Sequence, residues 1–266
     1  MLFKKKDDSE EILPVDGLIE DAKDYNFYDM QKKDRMIGFF IGFVIGFLAI
    51  YFFFGLLILS VLVGTVVGVK AIPLYKKNII QKNKKRLLLQ FRDLLDSLNN
   101  SMAAGNNIPD SFTNAYEDMV NQYGENSYIA DEILMIITGM NNGLNIEELL
   151  ENFAERTHCE DIQDFCNTFN TCTRLGGNLK VVVNECKDTI TQKIDIEMEI
   201  QTIIAGNKNQ LNIIIVMPFV IIELMSLMGF TEIMAINVTT ILVKVIALIV
   251  FVLAYLFGLK ITKIEM

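Results

Sequence analysis

The residues with the most chemical potential are few. Glu223 and Lys244 stand inside the two apolar segments of a stretch that runs from Leu211 to Leu259, whose intervening loop carries Glu232. An ionisable group in such a stretch is a candidate functional site by default, because it is costly to place in hydrocarbon. Counted from the intervening segment near Met234-Ala235, the two sit at similar depth. That suits a Glu–Lys pair locking a hairpin or joining two subunits. Snorkelling of each toward an interface is a second reading. An ion or proton path is a third, and no further chain of polar residues accompanies the pair to serve it.

Metal and nucleophile chemistry finds less. His158 is the single histidine, and the four cysteines, Cys159, Cys166, Cys172 and Cys186, form no CxxC pair. The spacing gives little support to zinc. The cysteines fall on apolar-periodic stretches, where free Cys acts as a small hydrophobe. Adjacent acids such as Asp131-Glu132 and Glu147-Glu148 fit first helical turns, where the helix dipole favours them. There is no GxxxxGK[ST], HExxH or GxSxG motif. These residues predict a protein that is not an enzyme and carries no cofactor.

The elements that hold these residues are membrane spans and a helical domain. Of the 266 residues, 52% are hydrophobic, and the excess lies in two blocks. The first runs from Met36 to Val69 without a charge. As one helix it would measure about 50 Å at the usual rise, against a hydrocarbon core of about 30 Å. Two short helices turning near Phe54-Gly55 fit better than one tilted span. The second block reads as spans at about 213–230 and 241–259 around a loop at 231–240. Lys32, Lys33 and Arg35 precede the first block, and Lys70, Lys76 and Lys77 follow it. Lys208 precedes the second, and Lys260 and Lys263 follow it. Basic flanks mark the cytoplasmic side, so each block crosses twice and both termini are expected inside. The apolar block starts too late and runs too long for a secretory signal.

Between the blocks the periodicity is helical. Leu87, Phe91, Leu94, Leu95, Leu98 and Met102 form one stripe. Ile146, Leu149, Leu150 and Phe153 form a second, and Ile162, Phe165, Cys166, Phe169 and Cys172 a third. Such stripes are core faces first. Three turns share a pattern: Gly105-Asn106-Asn107-Ile108, Gly143-Leu144-Asn145-Ile146 and Gly176-Gly177-Asn178-Leu179. Gly can close a helix in the left-handed conformation, and Asn can cap the next. Asn145 with Glu148 resembles a capping box, and Pro109 suits a first turn. Three such turns imply about six helices in an antiparallel bundle. Residues 194–200 alternate apolar and acidic, a strand-like pattern. With no partner strand in view, they are read as part of a long last helix.

Charge is lopsided. The net charge is −9, which argues against nucleic acid as a partner. The basic run from Lys76 to Arg92 suits contact with anionic lipid. From Asp93 to Gln210 about twenty acids face six bases. That is a solvated face that could also dock a basic partner. Residues 1–35, with Lys4-Lys5-Lys6 followed by many acids, read as a mostly disordered or peripheral cytoplasmic tail.

Leu89-Gln90-Phe91-Arg92-Asp93-Leu94-Leu95, closed by Ala104-Gly105, resembles the opening of the F domain of type II secretion systems. Gly143 through Arg156 resembles the middle of that GspF-like family, and Arg174-Leu175-Gly176-Gly177-Asn178-Leu179 its most recognisable turn. Pro218 in the following span also fits. The resemblance covers about residues 85–225. It implies an all-α inner-membrane platform protein, multi-pass, with N- and C-termini cytoplasmic. Its order would be a tail (1–35), a transmembrane hairpin (36–69), a cytoplasmic F domain (70–210, bundle about 84–207), a second hairpin (211–259) and a tail (260–266). A single F domain, where larger relatives carry two, looks like the Tad (Flp pilus) branch. The implied partners are a secretion ATPase, a sibling platform protein or a second copy of itself, pilin subunits and membrane lipid. The implied task is coupling the ATPase to pilin assembly or protein export. A small transporter or sensor using Glu223 and Lys244 is the alternative; as a transporter it predicts that Glu223→Gln abolishes flux and spares assembly.

Overall fold

The computed structural model describes residues 17–18 and 22–229, together with 242–243, 245–247, 249–250, 253–254 and 257–258. Among the described residues the ordered elements are all helices: α1 (Lys32–Phe54), α2 (Leu57–Ala103), α3 (Ile108–Tyr123), α4 (Tyr128–Asn141), α5 (Ile146–Thr157), α6 (Glu160–Leu175) and α7 (Leu179–Leu227). The strand-like alternation at 194–200 lies within continuous α7. The chain divides into two units. One joins residues up to Asp29 with Lys77–Ile194, and the other joins Met30–Lys76 with Asp195–Met266.

In the first unit, side-chain pairs give the register of each helix interface. Asp93 meets Tyr123, Ser97 meets Asp118 and Ser101 meets Asn114. A rise along α2 is thus matched by a fall along α3, so the two are antiparallel. The same holds for α4 and α5, where Glu132 meets Arg156 and Gly139 lies under Leu149. It holds again for α2 and α7, through Asn99–Asn184 and Asp96–Lys187. Phe91, Phe112, Phe153, Phe165 and Phe169 fill the centre with Leu87, Leu95, Leu98, Ile129 and Ile133, all but fully buried. The three apolar stripes converge there. Phe91 packs edge-on to Phe165 at 5.3 Å and tilted against Phe153 at 6.0 Å.

Helix ends follow from short-range chemistry. At Gly105, Gly143 and Gly176 the backbone has φ of 93°, 85° and 70°. Each turn closes with the same two bonds. The glycine N–H donates to Met102, Met140 or Thr173, and the next N–H donates to Ser101, Gly139 or Cys172. This reciprocal pair is the Schellman arrangement, which a left-handed residue permits. Asn107 caps α3 by accepting from the Asp110 N–H at 2.8 Å. Asn145 differs from the capping-box expectation. Its oxygen takes no cap bond, and its amide nitrogen instead donates to Glu148 at 3.3 Å. At Asn178 it is the main-chain carbonyl that receives the N–H groups of Val181 and Val182.

Two further turns lack the glycine–asparagine pattern. Ser127 caps α4 by accepting from Ala130, after Gly124 ends α3. His158 ends α5 with φ 49°, the one non-glycine residue with positive φ among the described residues.

In the second unit, α1 stops at Gly55, which has φ 64° and donates its N–H to Tyr51, and α2 begins two residues later. The hairpin therefore turns at Phe54-Gly55. Its seam is glycine. A Cβ on Gly42 would lie 2.5 Å from the Ala71 Cβ, and one on Gly68 would lie 2.9 Å from the Phe39 ring. Small residues at every fourth position let two backbones approach closely, as in membrane helix pairs. Opposite them Phe39, Phe43, Phe47 and Tyr51 stack at 5.9, 5.9 and 5.7 Å. Both helices are long and apolar enough to cross a membrane. Ile37, Phe40, Ile45, Ile58, Leu62 and Val69 face outward, which suits a hydrocarbon surround and not a buried soluble core.

Candidate functional site

The most elaborate polar arrangement lies between α4, α5 and residues 22–29, in the first unit. Residues 22–29 form no regular element. They lie as a strap on the helices, with Tyr25 buried and Lys23, Phe27 and Asp29 exposed. Within the tail expected to be disordered or peripheral, residues 22–29 are bonded to the helices. The reason is a match of groups to a preformed floor. Arg156 and Glu132 form a bidentate ion pair at 2.8 and 2.6 Å, with residues only 3% and 1% exposed. A buried pair must have its remaining lone pairs and protons satisfied. Asn152 accepts from Arg156 Nε at 2.9 Å within α5. The strap supplies the rest: the Lys23 carbonyl accepts from Arg156 Nη1 at 3.0 Å, and the Tyr25 hydroxyl donates to Glu132 Oε1 at 2.9 Å.

Further contacts hold the strap in line. The Tyr25 N–H donates to the carbonyl of Arg156 at 2.9 Å, taking up an acceptor near the open end of α5. The Tyr25 ring stands edge-on to Tyr128 at 5.7 Å. The Asp24 carboxylate, 5% exposed, lies 3.1 Å from His158 Nε2 and accepts from the Asn26 N–H at 2.7 Å. Lys84 on α2 donates to Asn26 Oδ1 at 3.0 Å. Lys23 adds an outer ion pair with Asp131 at 2.9 Å. Burial first, and then the Glu132 carboxylate, hold the Tyr25 phenol well above the usual tyrosine range. Burial also pulls the Lys84 ammonium below its ordinary value.

A second polar cluster lies between α2 and α3. Asp93 receives Arg92 at 2.7 Å and the hydroxyl of Tyr123, while Asp118 receives Ser97. Burial and the Asp93 hydrogen bond push the Tyr123 phenol up to about 12. These acids all bond within the cluster. Burial raises the thiols of Cys159, Cys166 and Cys186, which keeps them protonated and weakly nucleophilic. Among the described residues no group of three His, Cys, Asp or Glu is placed to hold a metal ion.

The turn residues Gly105, Asn107, Gly143, Asn145, Gly176, Gly177 and Asn178 share one end of the antiparallel arrangement, where α2, α4 and α6 end. They are structural there. Glu223 lies on α7 five residues after Pro218, and Lys244 lies outside the described residues, as does the loop at 231–240. The strap and its floor were not legible as a site. Glu132 and Arg156 stand 24 positions apart on different helices. One signal was available: both fall on apolar-facing positions, Glu132 beside Ile129 and Ile133, and Arg156 beside Phe153.

The described residues make an all-helical protein whose helices α1 and α2 are long and apolar enough to cross a membrane. The family model for type II secretion system protein F matches residues 94–227. That is half of the chain, and the chain belongs to this family. No curated protein and no solved structure matches it.

Proposed function

We propose that this chain is the inner-membrane platform of a type II secretion or Tad (Flp) pilus machine, acting mechanically and not as an enzyme. The observation that carries the reading is the family match over α2 to α7, supported by two helices fit to cross a membrane. In this reading both apolar blocks are transmembrane hairpins with the termini in the cytoplasm. The six helical segments between them form the cytoplasmic F domain. A cytoplasmic ATPase docks there, and the domain passes motion to pilin through the hairpins. A sibling platform protein or a second copy completes the assembly. Packed aromatic centres resist deformation, which suits such transmission.

The test is binding of the full chain, in detergent, to a secretion ATPase from the same organism. Saturable binding that weakens with salt is expected. A helical, folded chain that fails to bind, alone and with a sibling platform protein, overturns the reading.

A further inference from the structure

The strap is attached in a way that allows it to leave. Only Tyr25 of residues 22–29 is buried as a whole residue. Its bonds to the helices include side-chain pairs at Glu132, Lys84 and Arg156 and one to a carbonyl near a helix end. The floor keeps its own pairing when the strap is gone. Arg156 still holds both oxygens of Glu132 and the Asn152 amide oxygen. Lifting the strap therefore leaves no buried charge without a partner, the outcome that makes most buried ion pairs irreplaceable.

The floor also reads a particular short peptide. His158 faces a carboxylate at Asp24, Glu132 faces a phenol at Tyr25, and Lys84 faces an amide at Asn26. Between these, Arg156 bonds main chain on both sides, giving to the carbonyl of Lys23 and receiving the N–H of Tyr25. We infer that the α4–α5 floor, with Lys84 of α2, is a peptide-binding site for an Asp-Tyr-Asn turn, which the chain fills with its own residues 22–29 as a displaceable clamp. Asn26 is followed six residues later by the start of α1.

Attachment through a short link gives the strap an effective concentration of about millimolar at its own site. The test uses a fluorescent peptide of residues 22–30 and the full chain in detergent, as wild type and as D24A/Y25A. Fluorescence anisotropy should show saturable binding to D24A/Y25A at least about tenfold tighter than to wild type, whose own strap competes. A peptide with Ala in place of the tyrosine should not bind. Equal binding to both chains would place the peptide elsewhere and overturn the inference. So would no binding to D24A/Y25A up to about millimolar peptide, or loss of its helical circular dichroism, which would make the strap an integral part of the core.

Discussion

Arg156 and Glu132 show how much one pair of side chains decides. Each is charged and almost fully buried, so neither can lose the other cheaply. Arg156→Ala leaves a carboxylate in an apolar interior and should cost about 3–5 kcal/mol, read as a lowered denaturation midpoint of the full chain in detergent. Replacing both, as Glu132→Leu with Arg156→Met, should recover most of that loss, because apolar groups of similar volume need no partner. Tyr25 adds a pH dependence. Its phenol is raised above the ordinary value near 10, so the docked strap favours the neutral form. The contribution is complete below the unfolded value and is lost as pH rises beyond it. Between about pH 9 and 11 protease cleavage within residues 22–31 should increase, and Tyr25→Phe should abolish that dependence. None of these roles was legible in sequence. A lone Arg or Glu at an apolar-facing position reads as an irregularity until the partner helix is known, and that partner is fixed only by tertiary packing.

At the scale of elements, the sequence speaks more clearly, and the reason is locality. Helix ends depend on a few adjacent residues, so Gly105, Gly143 and Gly176 mark three of them and Gly55 marks the hairpin turn. His158 was silent because histidine, though enriched among non-glycine residues in the left-handed region, adopts it far less readily than glycine. It adopts it where Asp24 and Lys84 hold it, the latter through a bond to its carbonyl. Asn145 misled because a capping sequence permits two arrangements, and the amide chose Glu148 over the backbone. Glycines of different setting should respond in opposite directions. Gly176→Ala places a Cβ at φ 70° and should destabilise by about 1–2 kcal/mol. Gly206→Ala lies within α7 with open space around it and should stabilise by up to about 1 kcal/mol. Thermal unfolding of the two variants checks the contrast in sign.

For the whole molecule, composition and charge carried the reading further than any motif. The chain divides into units at Lys77 and after Ile194, inside the expected F-domain bounds of 70 and 210. Residues up to Asp29 group with the helices of the first unit, not apart from them, because the strap's chemistry is spread over Lys84, Glu132, Arg156 and His158. The acidic excess on the stretch beyond Asp93 bears on the expected ATPase contact. If that face docks a basic surface, affinity should fall steeply between about 50 and 200 mM salt, since exposed charges are screened over about 10 Å near 0.1 M. Binding that ignores salt would move the contact to the apolar residues at the helix turns, such as exposed Leu175.

The strap also imposes an order on biosynthesis. In the run from α3 to α6, each helix packs on the next in the chain, and such local contacts form early. The strap is different: Asp24 and His158 are 134 positions apart. A segment made before α5 must wait for α5 to emerge, several seconds or more at about 5–20 residues per second. The strap can therefore close only on a molecule in which α4 and α5 have already formed.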